Sequence, residues 1–248
     1  MEILRVESLT KVYGKGENEV RALDGVSFSV EKGEIFGFLG ANGAGKTTAM
    51  RMLCGLSRPT SGKAVVAGID VVKDPEKIKR RIGYMSQRFS LYDDLTVSEN
   101  MTLFAGIYGM REKDIADKRA AVLTRLGLYD ERDMLVGSLP LGWKQKLAFS
   151  VSIFHEPAIV FLDEPTGGVD PVTRRQFWRQ IYEASERGIT VFVTTHYMDE
   201  AEYCHRVSIM VDGRIAAMGT PSELKASLGA GTMDDVFYML ARNAERIG

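Results

Sequence analysis

Nine consecutive residues carry the clearest chemistry in this chain: Gly40, Ala41, Asn42, Gly43, Ala44, Gly45, Lys46, Thr47 and Thr48. The spacing GxxxxGK followed by Ser or Thr is that of a loop that grips phosphate. Its three glycines let the backbone curl so that successive N–H groups face inward, and the helix start behind them adds partial positive charge at the same point. Lys46 is expected to reach the β- and γ-phosphates as a point charge, and the Thr47 hydroxyl to ligate a bridging magnesium ion. A glycine-rich turn that binds nothing is the bland alternative. The flanks argue against it, because an apolar strand-like run at 35–39 precedes the loop and a helix-compatible run at 47–56 follows it.

A phosphate loop needs an acid to hold the metal and a group to orient water, and AIVFLDEP at 158–165 offers both. Asp163 ends an apolar run that reads as a buried strand, so a parallel sheet would carry it to the carboxyl edge where the loop also lies. Glu164 comes next and is the candidate to take a proton from water aimed at the γ-phosphate. His196 closes the next apolar run, ITVFVTTH, and would reach the same rim to bond the γ-phosphate or its attacking water. Gln87 follows a strand-like run at 83–86, and its neutral amide can touch metal and water without adding charge. Tyr13, near the end of the first strand, offers a ring for a base to stack on.

These groups must be held by a scaffold. The 248-residue chain is long enough for one large α/β domain, or one with a subdomain. Three short apolar runs at 35–39, 158–162 and 190–194 read as buried parallel strands separated by helical stretches. Runs at 3–12, 26–30 and 63–71 alternate apolar and polar residues and suit a half-exposed antiparallel layer. Between Thr96 and Leu128 the pattern turns helical, with Val97, Met101, Phe104 and Ile107 in one stripe and Ile115, Val122, Leu123 and Leu126 in another. A hairpin is expected at Asp212 and Gly213, then a helix over Pro221–Leu228, a break at 229–231 and a final amphipathic run.

Composition narrows the partners. Formal net charge is −1 with 26% charged residues of both signs, so nothing draws the chain as a whole to nucleic acid or anionic lipid. Cys54 and Cys204 lack the spacing of a metal site and read as packed thiols. The apolar runs are too short to span a bilayer and the amino terminus lacks a signal-peptide layout, so a soluble, cytosolic chain is expected. No Asn opens an NKxD guanine-reading motif.

Taken in order, Tyr13, GANGAGKT, Gln87, a short motif before a helix at 139–145, LDEP, Asp170 in GGVDP and His196 resemble the ATPase subunit of an ABC transporter over nearly the whole chain. The resemblance implies a P-loop NTPase of α/β class: a parallel-sheet core, an N-terminal antiparallel β layer and an inserted helical subdomain at about 88–156. The ATPase domain would cover 1–230 and a helical extension 231–248. It implies ATP and Mg2+ as ligands, with Thr47, Gln87 and Asp163 at the metal and Glu164, His196 and Gln87 in catalysis. Two ATPase subunits, alike or different, would close head to tail around two ATP molecules, each completing the other's site, with Asp170 in the D-loop between them. Membrane-spanning permease subunits would dock around 88–99, placing the chain in the cytoplasm, peripheral on the inner face of the cell membrane.

One element departs from the family. In place of the signature LSGGQ stand Leu139, Pro140, Leu141, Gly142 and Trp143. The family's serine caps a helix and bonds the opposing γ-phosphate, whereas proline has neither hydroxyl nor N–H. Gly142 would still let backbone N–H groups approach that phosphate. With LYDDLTVSEN, TTHYMDEAEYC, GTPSELK and the terminal MDDVFYML, the variant looks like the multidrug-exporter branch. The competing readings are a soluble ABC protein of translation or DNA maintenance, which would show paired ATPase halves with a basic linker or a long coiled-coil insertion, and a regulatory subunit with a degenerate signature.

Overall fold

The computed structural model describes residues 1–87 and 91–245. In chain order the elements are β1 (Glu2–Tyr13), β2 (Val20–Glu31), β3 (Ile35–Gly40), α1 (Lys46–Leu53), β4 (Ser61–Val66), β5 (Ile69–Asp70), α2 (Pro75–Lys79), β6 (Ile82–Met85), α3 (Val97–Ile107), α4 (Glu112–Leu126), α5 (Leu141–Ser152), β7 (Ile159–Asp163), α6 (Pro171–Glu186), β8 (Thr190–Thr195), β9 (Arg206–Val211), β10 (Arg214–Gly219), α7 (Pro221–Leu228) and α8 (Met233–Glu245).

Two sheets form. Strands β2, β1, β4 and β5 make an antiparallel sheet in that order, and β10, β9, β3, β8, β7 and β6 make the second, parallel except for β10 at its edge. Every residue of β3, β7 and β8 is buried, as expected of parallel strands covered on both faces. One face presents Phe36, Phe38, Phe161 and Phe192, and Phe28 of β2 packs into them with ring centroids 5.3–6.1 Å away from three of the four. The other face presents Ile35, Leu39, Leu162 and Val193 to Phe149 of α5 and Phe177, Trp178 and Ile181 of α6. Alternation along each strand thus glues the antiparallel layer to one side of the sheet and helices to the other.

Helices α3, α4 and α5 share a separate core built on Val97, Met101, Ala105, Ile115, Leu123, Leu147, Val151 and Phe154. Thr96 and Glu99 form a reciprocal capping box that starts α3. The first helical stripe differs from the sequence expectation at its end. Ile107 is 60% exposed and Phe104 only partly buried, because α3 outlasts the core and its last turn lines a shallow apolar cleft with Leu56, Ile82, Tyr84 and Tyr108. The antiparallel layer also differs in extent. Strand β2 begins at Val20, and the run at 63–71 breaks at Ala67 and Gly68, both with positive φ. Both cysteines are buried and their thiol pKa values are pushed up, chiefly by burial, as packed thiols should be. Among the described residues no helix is long and apolar enough to cross a membrane.

Candidate functional site

Sheet register decides which chain ends meet. Leu39 pairs with Thr195 and Asp163 with Thr194, so β3, β7 and β8 finish together on one edge. The phosphate loop leaves β3 there, Asp163 ends β7, and His196 follows β8 directly. A cavity of about 410 Å³ opens at that edge, lined by Ala22, Asn42, Gly43, Gly45, Lys46, Thr47, Thr48, Gln87, Glu164 and His196.

The loop is shaped to offer backbone donors. Gly45, at φ 101°, starts α1, and a Cβ there would lie 2.4 Å from the Ala22 carbonyl, so only glycine fits. The N–H groups of Gly43, Gly45, Lys46, Thr47 and Thr48 have no hydrogen-bond partner among the described residues. Ala41 and Ala44 close the turn between them, with Ala44 N donating to Ala41 O at 3.2 Å. Gly213, in the β9–β10 turn, donates to Ala44 O at 3.3 Å and braces the loop from outside.

Lys46 is only 4% exposed. Its ammonium donates to the carbonyls of Gly40 at 2.8 Å and Ala41 at 3.0 Å and lies 3.3 Å from Glu164 Oε1. Gln87 Nε2 donates to Glu164 Oε2 at 3.2 Å. His196 Nδ1 lies 3.1 Å from the same oxygen, but too poorly aligned for a hydrogen bond; the contact is an ion pair only when the ring is protonated. Glu164 itself sits at φ 46°, a conformation costing a non-glycine residue on the order of 1–2 kcal/mol. Such strain collects where a side chain must point in one direction. Its N–H is anchored on Thr194, to the carbonyl and the hydroxyl at 3.1 Å each.

Asp163 Oδ1 accepts the Thr47 hydroxyl at 3.2 Å and the Thr194 hydroxyl at 2.7 Å. An all-oxygen set of hydroxyl, carboxylate and nearby amide suits magnesium, which keeps several waters and shares its ligands with phosphate. Among the described residues no group of three or more His, Cys, Asp or Glu could hold a metal by itself. The set therefore fits a metal that arrives with phosphate.

Other candidates lie elsewhere. Tyr13 is exposed, carries Lys11 Nζ 4.9 Å above its ring, and is not among the residues lining the cavity. Asp170 caps α6, accepting from Val172 N and Thr173 N at 2.9 and 3.0 Å. Leu139 is buried, and Pro140 precedes α5 without a side-chain cap. The N–H groups of Leu141 and Gly142 have no partner among the described residues, and Leu141 is 46% exposed. Trp143 packs partly on the helical core. Gly142 abuts the start of α6: a Cβ there would meet Thr173 Cγ2 at 2.8 Å.

Sequence reading missed Thr194 and Ala22. Thr194 had a signal, because a hydroxyl near the end of a fully buried strand needs a partner at that edge. Ala22 had none, since it contributes through its backbone and position alone.

The ABC transporter family model matches residues 23–167. The chain is 45% identical to the "Probable multidrug ABC transporter ATP-binding protein YbhF" of Escherichia coli (strain K12), covering 98% of this chain and 42% of that one. It is 35% identical to the "Linearmycin resistance ATP-binding protein LnrL" of Bacillus subtilis (strain 168), over 93% of this chain and 73% of that one. A solved dimeric ATP-binding cassette in a post-hydrolysis state, bound to ADP and Pi, superposes with a TM-score of 0.78 at 25% identity, over 88% of this chain and 98% of that one. The chain thus spans less than half the length of YbhF.

Proposed function

The chain belongs to the ABC transporter family, and we propose that it is the ATP-hydrolysing unit that powers export, of drug-like molecules, through membrane-spanning partners. The observation that carries the reading is the convergence of Lys46, Thr47, Glu164, Gln87 and His196 on one cavity beside a loop of free N–H groups, with Asp163 bonded to Thr47 behind it.

The β- and γ-phosphates of ATP lie against the N–H groups of Gly43 and of 45–48, where the α1 N-terminus favours negative charge. Lys46 turns its ammonium to them. Thr47 and Asp163, with Gln87, would hold a magnesium ion, which would neutralise charge developing on the phosphates. Thr194 fixes Asp163 and the Glu164 backbone in one place. Glu164 accepts a proton from the attacking water at its carboxylate, and His196 donates a hydrogen bond to the γ-phosphate or to that water. Tyr13, beyond the cavity wall, stacks on the adenine once the base extends past the loop.

Each site is completed by a second ATPase subunit, whose Leu139, Pro140, Leu141, Gly142 and Trp143 supply backbone donors at the start of α5, with Asp170 at the interface. The dimeric cassette bound to ADP and Pi supports this arrangement. The largely apolar cleft between Cys54, Leu56, Ile82, Tyr84, Phe104, Ile107 and Tyr108, with Lys79 among its walls, suits a membrane partner's apolar segment. It is the surface we propose for docking, beside the segment expected from sequence, of which residues 88–90 lie outside the described residues. Docking there sets the unit on the inner face of the membrane. The test is ATP turnover by the complete protein purified from membranes, compared with its Glu164→Gln variant. Co-purification of an integral-membrane partner and turnover lost in the variant support the reading; turnover equal in both removes it.

A further inference from the structure

Glu200 has no accessible surface, yet it lies in the short helical turn Met198–Tyr203 just behind His196. Its Oε1 accepts the Thr166 hydroxyl at 2.5 Å, and the Thr195 hydroxyl lies close enough to the same carboxylate to lower its pKa. Thr166 stands two residues after Glu164 and Thr195 one before His196, so one carboxylate joins the two loops that carry those groups. Burial pushes the Glu200 pKa up, and the two threonines and Arg174 only partly offset it. A buried ion pair is weak evidence for stabilisation, because desolvation offsets most of its attraction, so stability alone does not account for an acid here.

Arg174 supplies the third connection. It sits one turn into α6, its N–H bonded to the Asp170 carbonyl at 2.9 Å. Its Nε is 3.7 Å from Glu200 Oε1, its Nη1 3.4 Å from Asp199 Oδ2, and its guanidinium lies 4.4 Å from the Tyr197 ring centroid. Tyr197 in turn meets the His196 ring at 4.1 Å. Around this carboxylate, Arg174 Nε, Trp178 Nε1 and Glu200 Oε2 are buried without an aligned hydrogen-bond partner.

We infer that Glu200 and Arg174 are positioning residues that clamp the His196 loop against the Glu164 loop and the Asp170-capped start of α6. The inference rests on the ATPase reading and adds to it the parts that hold His196 in register with Glu164. Neither residue lines the cavity, so losing the clamp misplaces His196 without weakening ATP binding.

The experiment measures kcat and KM for ATP in the complete protein purified from membranes, with thermal midpoints alongside. Arg174→Gln is expected to lower kcat about tenfold with KM changed by less than about twofold. Arg174→Lys should recover part of the loss, because it keeps charge toward Glu200 but not the planar contact with Tyr197. Glu200→Gln should show the same split, and the double variant should be no worse than the poorer single variant. Should Glu200→Gln not fold, the two Arg174 variants decide, since that side chain reaches the surface. Parent-like kcat in Arg174→Gln, a loss that follows the unfolded fraction, or no recovery in Arg174→Lys overturns the clamp alone. A parent without ATP turnover overturns the ATPase reading and the clamp together.

Discussion

Lys46 Nζ and Glu164 Oε1 face each other at 3.3 Å, so the cation proposed to bind phosphate is already engaged by the carboxylate proposed to act on water. Both side chains are largely buried, so the pair is far less screened by solvent than a surface salt bridge. On the proposed mechanism an incoming γ-phosphate would have to take Lys46 from Glu164, and that release would free the carboxylate to turn to water.

Replacing Glu164 by Gln should therefore do two things at once. It removes the base, nearly abolishing hydrolysis, and it removes a competitor for Lys46. A hydrogen bond to a charged group is worth about 1.5–3 kcal/mol, so ATP should bind on the order of tenfold tighter. Titration with a fluorescent ATP analogue and magnesium measures the affinity, and size-exclusion chromatography with ATP should show more dimer. Equal affinity in variant and parent would sink the competition; parent-like turnover would remove Glu164 from the chemistry.

Lys46→Ala should abolish the thermal stabilisation by ATP and magnesium. The pairing adds a second effect that the loop sequence alone does not suggest. Glu164 and the carbonyls of Gly40 and Ala41 lose a shared donor, so the protein alone should be less stable by about 1–3 kcal/mol. Denaturant melts with and without ATP separate the two, and an undiminished ATP shift in the variant would disprove the phosphate-loop assignment.

The altered signature is best tested at Leu141 rather than at Gly142. A side chain at Gly142 strikes Thr173, which bonds the Asp170 cap, so Gly142→Asp would damage its own subunit as well as its neighbour's site. Leu141 is exposed at the start of α5, with a free N–H beside it. Leu141→Asp should leave ATP binding by the isolated chain within about twofold while suppressing ATP-driven dimerisation and turnover. Mixing it with Lys46→Ala chains should restore part of the activity, because one interface then carries both lesions and the other neither. Full activity in Leu141→Asp alone would show that this turn meets no nucleotide.

His155 makes stability depend on pH. Its ring stacks on Tyr108 at 3.6 Å and its pKa is lowered to about 4, first by burial, with Lys118 adding and the Ile82 carbonyl opposing. Above the unfolded value of about 6.5 the ring is neutral in both states and costs nothing. As pH falls from about 6.5 toward 4 the unfolded chain takes up a proton that the folded protein refuses, so stability drops, by about 1–3 kcal/mol. Below that range both states are protonated and the loss levels off. His155→Phe, which keeps the stacking, should flatten this part of the profile in urea melts at pH 7 and pH 5. An identical slope in both proteins would assign the pH dependence to other groups.

Much of this site was legible because its parts are local. A glycine-rich loop between a strand and a helix, an acid at the end of an apolar run, and a histidine after another are each contained in a few adjacent residues. Backbone conformation and burial there follow from neighbours along the chain. For the same reason the strands at 35–39, 158–162 and 190–194 and the turn at Asp212 and Gly213 could be read to within a residue or two.

The relations between those parts depend on sheet register and on which helix face meets which loop, and both are set by packing between segments far apart in sequence. Only the pairing of Leu39 with Thr195 and Asp163 with Thr194 makes Thr194 a shared anchor for both acids. Only the fold sets Glu164 on Lys46, Gly142 on Thr173, and Glu200 between Thr166 and Arg174. The same packing leaves Ile107 outside the helical core, where its helical period had placed it with Val97 and Met101, and sets Tyr13 off the cavity wall. A motif or a helical period records what a residue's chain neighbours demand; which distant surface it finally touches is decided by the one arrangement that buries Phe28, Phe192 and Trp178 together with their partners.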